Sequence, residues 1–344
     1  MLPSLYSGIS GLRANQQKLN VVANNIANST TTGFKTQSMN FQDMISQNLS
    51  DPSAPSASIG GVNGKQSGLG VKVAGISTDF TTGSVGTTNR NLDFMVDGTG
   101  YFVVGTGSIA GSDSGAIEGI TVDTTTKTLG GGNIDPSYTR DGAFFLDTQG
   151  NLLTVDGHRV MGYQIGDAVI HYSDDPNAQN KIDFQDANDK TASNLDAETD
   201  KLVPLSIPNS VTKDGKEVKV KAFSVGKDGY ITAQLADGST AALGQIAMVS
   251  FQNEGGLVKQ GGNLYTTSAN SGQPVVRDGK TATPADDDNS GSYGNLVQGA
   301  LEMSNVDLAQ QFTDMIIATR AFQANGKIIT TDDEILQDLV NLKR

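Results

Sequence analysis

The residues whose types and spacing could do chemistry form a few small groups, and each fails on a specific count. The stretch YFVVGTGSIAG (101–111) places Gly105, Gly107 and Ala110 at the spacing of a dinucleotide-binding turn, with Asp123 downstream. Such a turn binds pyrophosphate only when a helix comes next and offers its N-terminal N–H groups. The next residues, GSDSGAIEGITVDTTTK, are rich in Gly, Ser and Thr and read as a hairpin loop. DDDNSG (286–291) offers oxygen ligands for a calcium loop, but Val297 stands where the closing bidentate Glu is required, so it reads as a solvated acidic loop. The two histidines, His158 and His171, have no metal-ligand spacing and no nucleophile motif beside them. There is no cysteine, which excludes disulfides, thiolate metal sites and Cys nucleophiles. Carboxylates are plentiful, but nothing selects two of them as a glycosidase pair. The expectation is therefore no catalytic residue, no metal and no cofactor.

Charge and composition narrow the class further. The chain has 344 residues, room for two or more packed domains. Its net charge of −13 argues against a nucleic-acid partner. The acid is uneven: residues 1–50 carry +2 and residues 300–344 carry −3, so the middle carries −12. That spares both ends for contacts and solvates the middle. No apolar run approaches the length of a membrane span, so no membrane insertion is expected. The opening MLPSLYSGISGLRANQ lacks the basic and apolar regions of a secretory signal.

With so little chemistry to position, the terminal elements are the most informative part of the chain. From the N-terminus, Leu5, Ile9, Leu12, Gln16, Leu19, Ala23 and Ile26 keep a 3,4 spacing that predicts an amphipathic helix with a heptad seam. Gly8 and Gly11 weaken that helix by roughly 1 kcal/mol each, so it should order only when packed. At the C-terminus Leu308, Phe312, Met315, Phe322, Ile329, Leu336 and Val340 fall on the same spacing. A second stripe, Ile317, Ala321, Ala324, Ile328, Ile335 and Leu342, runs beside it. One reading is an ordinary pair of core helices. The other is an interaction site, because two stripes present more apolar surface than one pairing buries.

Between the ends the chain reads as strands and turns. Asp97-Gly98, Asp141-Gly142, Gly150-Asn151, Asp156-Gly157, Asp214-Gly215, Asp228-Gly229 and Asp237-Gly238 punctuate short apolar runs, the main hairpin signal. The Pro/Ser/Gly stretch 51–68 reads as an extended linker. The organisation expected is 1–28 with 303–344 as an inner helical domain, 29–70 as a connecting segment, 71–165 with 245–302 as an inner β domain, and 166–244 as an outer β domain. The fold class is α+β: mainly β domains, with the N- and C-terminal helices paired as a coiled coil.

One run remains, ANNIANSTTTGFKTQSMNFQDM (23–44), asparagine-rich and just past the first helix. Asn24, Asn25 and Asn28 can hydrogen-bond nearby backbone and end the helix, with Ile26 closing its seam. Gly33 favours a turn, and Phe34 can dock in a neighbouring subunit. SGISGLRANQQKLNVVANNIANSTTTGFK closely resembles the N-terminal signature of bacterial flagellar rod and hook proteins. GALEMSNVDLAQQFTDMIIATRAFQANGKIITTDDEILQDLVNL (299–342) resembles their C-terminal signature, and residues 68–104 also look like the family. The resemblance departs at Gln311, where the family often has an acidic residue.

The resemblance implies a structural subunit, with the terminal helices paired around a central channel and the β domains outside. A large segment at 166–244 and FQDMISQNLSDPSAPS (41–56) point to the hook branch over the distal rod. It implies motif residues Asn24, Asn25, Asn28, Gly33, Phe34, Lys35, Asn305 and Asp307. It also implies an assembly interface of Leu5, Ile9, Leu12, Leu19, Ile26, Phe312, Met315, Phe322, Ile329 and Leu336. The implied partners are copies of itself, distal rod, hook cap and hook–filament junction proteins, and the flagellar type III export apparatus. The implied location is the extracellular hook, reached without a cleavable signal. A secreted β-rich adhesin or carbohydrate-binding module is the rival from another class.

Overall fold

The computed structural model describes residues 2–55, 60–107, 119–124, 126–166, 168–173, 178–187, 200–213, 215–277 and 294–342. Ala110 and the acidic run 286–291 lie outside the described residues. The fold is α+β, two long terminal helices and many short strands. The chain divides into two compact units: Met1–Thr30, Lys35–Phe80 and Asn305–Arg344 form the first; Thr31–Phe34 and Thr81–Ser304 form the second.

In the first unit, α1 (Leu2–Ala27) and α2 (Leu308–Leu342) pair with each other. They run antiparallel, since Ser4 meets Asp332 near one end and Asn25 meets Gln311 at the other. At 26 and 35 residues they are about 39 and 52 Å long. α2 starts at a clear cap: the Asp307 carboxylate accepts the N–H groups of Ala309 and Gln310.

The segment expected to be an extended linker instead folds back on itself. β1 (Gln37–Asp43) pairs antiparallel with β4 (Val71–Thr78), and β2 (Ser46–Ser50) with β3 (Lys65–Gly68). These ribbons are held by backbone ladders, which side-chain periodicity does not report. Many of their side chains are exposed, including Phe41, Leu49 and Ile76.

The second unit is built on one antiparallel sheet. Along its main path the strands are 210–213, 216–225, 230–235, 240–246, 159–163, 101–107, 134–139, 264–266 and 258–261. The ladder between 159–163 and 240–246 makes the 166–244 region continuous with the strands before it. Asp228-Gly229 and Asp237-Gly238 turn the hairpins as the sequence predicts, with glycine φ values of 78° and 88°. Gly142 serves a different purpose. A Cβ there would lie 1.7 Å from the Phe94 carbonyl oxygen, so it permits close strand approach. The core behind the sheet centres on Phe94, Phe102 and Phe144, with the last two rings 5.2 Å apart edge to face.

Candidate assembly face and its asparagine junction

The groups that could have done chemistry are dispersed. Gly105 and Gly107 sit inside the strand 101–107, laddered to 134–139. Asp123 caps a short turn by accepting the Thr126 N–H. His171 lies on the surface, its Nε2 3.0 Å from Asp183 Oδ2. Among the described residues no cluster of His, Cys, Asp or Glu could hold a metal. No helix among them is long and apolar enough to cross a membrane.

The two terminal motifs, by contrast, converge in the first unit. α1 ends where Asn28 folds back: its backbone N–H and its Nδ2 both donate to the Asn24 carbonyl, at 3.1 and 2.9 Å. Asn25 does something else. It is fully buried, and its side chain mimics a strand edge. Nδ2 donates to the Gln37 carbonyl at 2.7 Å, and Oδ1 accepts the Gln37 N–H at 3.0 Å. The same Nδ2 donates to Gln311 Oε1 at 3.0 Å, so one residue ties α1, β1 and α2. Gln311 thus supplies the acceptor that a carboxylate would supply.

Asn305 is the counterpart from the C-terminal motif. Its Oδ1 accepts the Thr36 N–H at 2.7 Å, and its Nδ2 donates to the Asp79 carbonyl at 2.9 Å. The start of β1 and the exit from β4 are therefore pinned by two asparagine amides, and Lys35 beside them is buried. A cavity of about 380 Å³ opens here, walled by Lys18, Val22, Gln37, Gln311 and Asp314 among others.

Gly33 and Phe34 belong to the second unit, and the structure corrects the expectation for Phe34. Its ring is buried within its own chain, 4.6 Å from Lys259 Nζ, and does not reach out to a neighbouring subunit. Burial lowers the Lys259 pKa, and the aromatic face compensates by attracting the ammonium. Gly33 has φ +65°, and a Cβ would lie 3.0 Å from the backbone of Arg140 and Asp141. Its N–H donates to the Glu302 carbonyl at 2.8 Å. The Glu302 carboxylate accepts the Gly83 N–H and pairs with Arg140 at 3.3 Å, both side chains fully buried. No sequence pattern marked the Arg140–Glu302 pair, because the partners are far apart in the chain and each is a common surface residue type.

The helices meet through polar and small residues as well as apolar ones, Gly8 lying against Ile329 and Ile328. Lys18 Nζ pairs with Asp314 at 3.0 Å, Ser4 Oγ donates to Asp332 at 2.8 Å, and Gly11 lies against the Asn325 side chain. These positions, with Asn25 and Gln311, lie one residue before the apolar frame on α1 and α2. Small and polar residues let the backbones approach and satisfy one another. Ala14, Val22 and Ala318 are buried as well, and larger apolar residues lie to either side. Leu5, Leu12, Leu19 and Ile26 are half-buried, as are Met315, Phe322 and Ile329; Ile9 and Leu336 are exposed. Along α2, Phe312 is 50%, Ile316 63%, Ile317 57% and Val340 68% exposed, a stripe one chain leaves uncovered.

Comparisons with known proteins match both ends of the chain and its middle. Residues 5–35 match the family model for the flagella basal body rod protein, 297–342 that for the flagellar basal body rod FlgEFG protein C-terminal, and 128–233 that for the flagellar hook protein FlgE/F/G D1 domain. The chain is 40% identical to the flagellar basal-body rod protein FlgG of Bacillus subtilis, over the whole of both chains. The chain belongs to the flagellar rod and hook protein family. As a member of that family it is a structural protein of the flagellum and not an enzyme. Other family relatives are named for the hook: the flagellar hook protein FlgE of Borreliella burgdorferi is 30% identical over the whole of both chains, and that of Escherichia coli 28% over 97% of this chain and 98% of the relative.

Proposed function

We propose that this chain is the subunit of the flagellar hook, polymerising into a curved tube that passes torque from rod to filament and encloses the export channel. The observation that carries this reading is the exposed apolar surface of α2, including Phe312, Ile316, Ile328 and Val340, beside a helix pairing that contains an ion pair and an amide pair. Apolar surface left open along a helix of this length is stabilised by burial against other copies. A bending tube needs each strand of subunits to shorten and lengthen every turn. Apolar helices hold the inner contacts while the acidic middle, at −12, presents faces that slide. The partners of such a subunit are the distal rod below, the hook cap during growth and the hook–filament junction above. Delivery is through the type III export apparatus to the cell exterior.

A distal rod subunit is the second reading, favoured by the Bacillus relative that carries the rod name along the whole chain. That alignment also removes chain length as a way to separate the two. Electron microscopy of basal bodies from a strain lacking the gene separates them. Complete rods without hooks are expected; truncated rods would move the protein inward, and intact flagella would overturn both readings.

A further inference from the structure

The heptad frame on which α1 and α2 meet differs in kind from the apolar frame beside it. On α1 the apolar frame repeats Leu5, Leu12, Leu19 and Ile26, nearly the same shape every seven residues. A seam of that kind is as well satisfied after a one-heptad slip as before it, so it carries little register information. The contact frame carries Ser4, Gly11, Lys18 and Asn25, four different residues. Facing them in reverse order are Asp332, Asn325, the buried Ala318 and Gln311, with Lys18 reaching one turn along to Asp314. A slip of one heptad towards the C-terminus of α2 would set Asn25 opposite Ala318. Lys18 would then reach Ala321 in place of Asp314. Buried polar groups that lose their partners disfavour that register strongly.

We propose that this polar seam is the address of the in-chain pairing: it holds α1 against α2 of the same chain in one register, and so reserves the apolar face of α2 for a second copy. The proposal rests on the subunit reading above for its second half only. The second copy is the occupant that the subunit reading supplies for the exposed apolar residues of α2, which run from Leu308 to Ile317 and again from Ile328 to Leu342.

The test uses the full chain in a strain lacking the native gene. Because the chain has no cysteine, Ser4→Cys with Asp332→Cys reports the register by oxidative cross-linking within one chain. Lys18→Glu and Asp314→Lys, each placing like charges together, are expected to lower that cross-link and the number of completed axial structures by on the order of tenfold. The exchange Lys18→Glu with Asp314→Lys restores both readouts, which a merely misfolded variant would not do. Asn25→Leu with Gln311→Leu keeps both helices by circular dichroism. It is expected to let the off-register pair Ser4→Cys with Leu339→Cys cross-link. Single variants that cross-link and assemble like the wild type overturn the proposal, as does an exchange variant as defective as the singles. If deletion leaves flagella intact, the subunit reading falls, while cross-linking of the purified chain still decides the register.

Discussion

A glycine and a buried ion pair hold the best-defined points of the second unit. Gly33 at φ +65° has backbone within 3.0 Å of where a Cβ would stand, so Gly33→Ala combines backbone strain with a clash. It should lower stability by about 1–3 kcal/mol in denaturant unfolding. Glu302→Ala removes the carboxylate that faces Arg140 and leaves a buried guanidinium without its charge partner. The expected loss is about 3–5 kcal/mol, read in the same experiment. Four tyrosines in this unit, Tyr101, Tyr138, Tyr172 and Tyr265, have raised pKa values, chiefly because burial disfavours the phenolate. Tyr265 is pushed up to about 12. The folded state therefore holds these protons more tightly than the unfolded chain, whose tyrosines ionise near the ordinary value of about 10. Stability from this source is thus full below that value and falls as the pH rises from it towards about 12. Tyrosinate absorbance should appear together with unfolding in an alkaline titration, and independent ionisation of a still-folded protein would contradict this.

The two terminal helices use their faces for different purposes, and substitutions on each face should separate accordingly. Ile316 is 63% exposed and lies off the polar seam. Ile316→Asp should leave the helix pair and the β unit folded, with an unchanged melting curve, while abolishing assembly into axial structures. Phe322→Asp, at a half-buried position, should both loosen the helix pair and abolish assembly. Polymers of normal length from Ile316→Asp would show that the apolar stripe is not an assembly face. The ribbons β1–β4 and β2–β3 add a second exposed surface, but two-stranded ribbons gain little from their own packing. Their anchorage comes from Asn25 and Asn305, which hold the backbone where the ribbon begins and ends.

Taken whole, the chain carries exposed apolar side chains along α2, among them Phe312, Ile316, Ile328 and Val340, and net acid in both its middle and its C-terminal stretch. The exposed apolar surface supports the proposed reading of a subunit that binds copies of itself. The dinucleotide-like turn and the two histidines, met as possible chemistry, are part of sheet and turn structure. Loss of the gene should therefore remove an axial structure and no enzymatic activity, as the basal-body experiment reads directly.

Both terminal helices, the hairpins at Asp228-Gly229 and Asp237-Gly238 and the motif asparagines were legible in the sequence, because each depends on spacing or local backbone preference; Asp97-Gly98 joins no hairpin, since 94–97 pairs with 295–298. So was the surplus of apolar surface on α2, since two stripes on one helix exceed what one partner covers. Which frame pairs the helices was not legible. Apolar periodicity pointed to Leu5, Leu12 and Ile26, whereas the contact runs through Lys18 and Asn25, whose partners Asp314 and Gln311 lie 296 and 286 residues on. Polar contacts of that separation leave no periodic trace. For the same reason the fold-back of 46–68, the burial of Phe34 under Lys259 and the Arg140–Glu302 pair were decided by tertiary structure alone: each joins groups that only the folded chain brings within bonding distance.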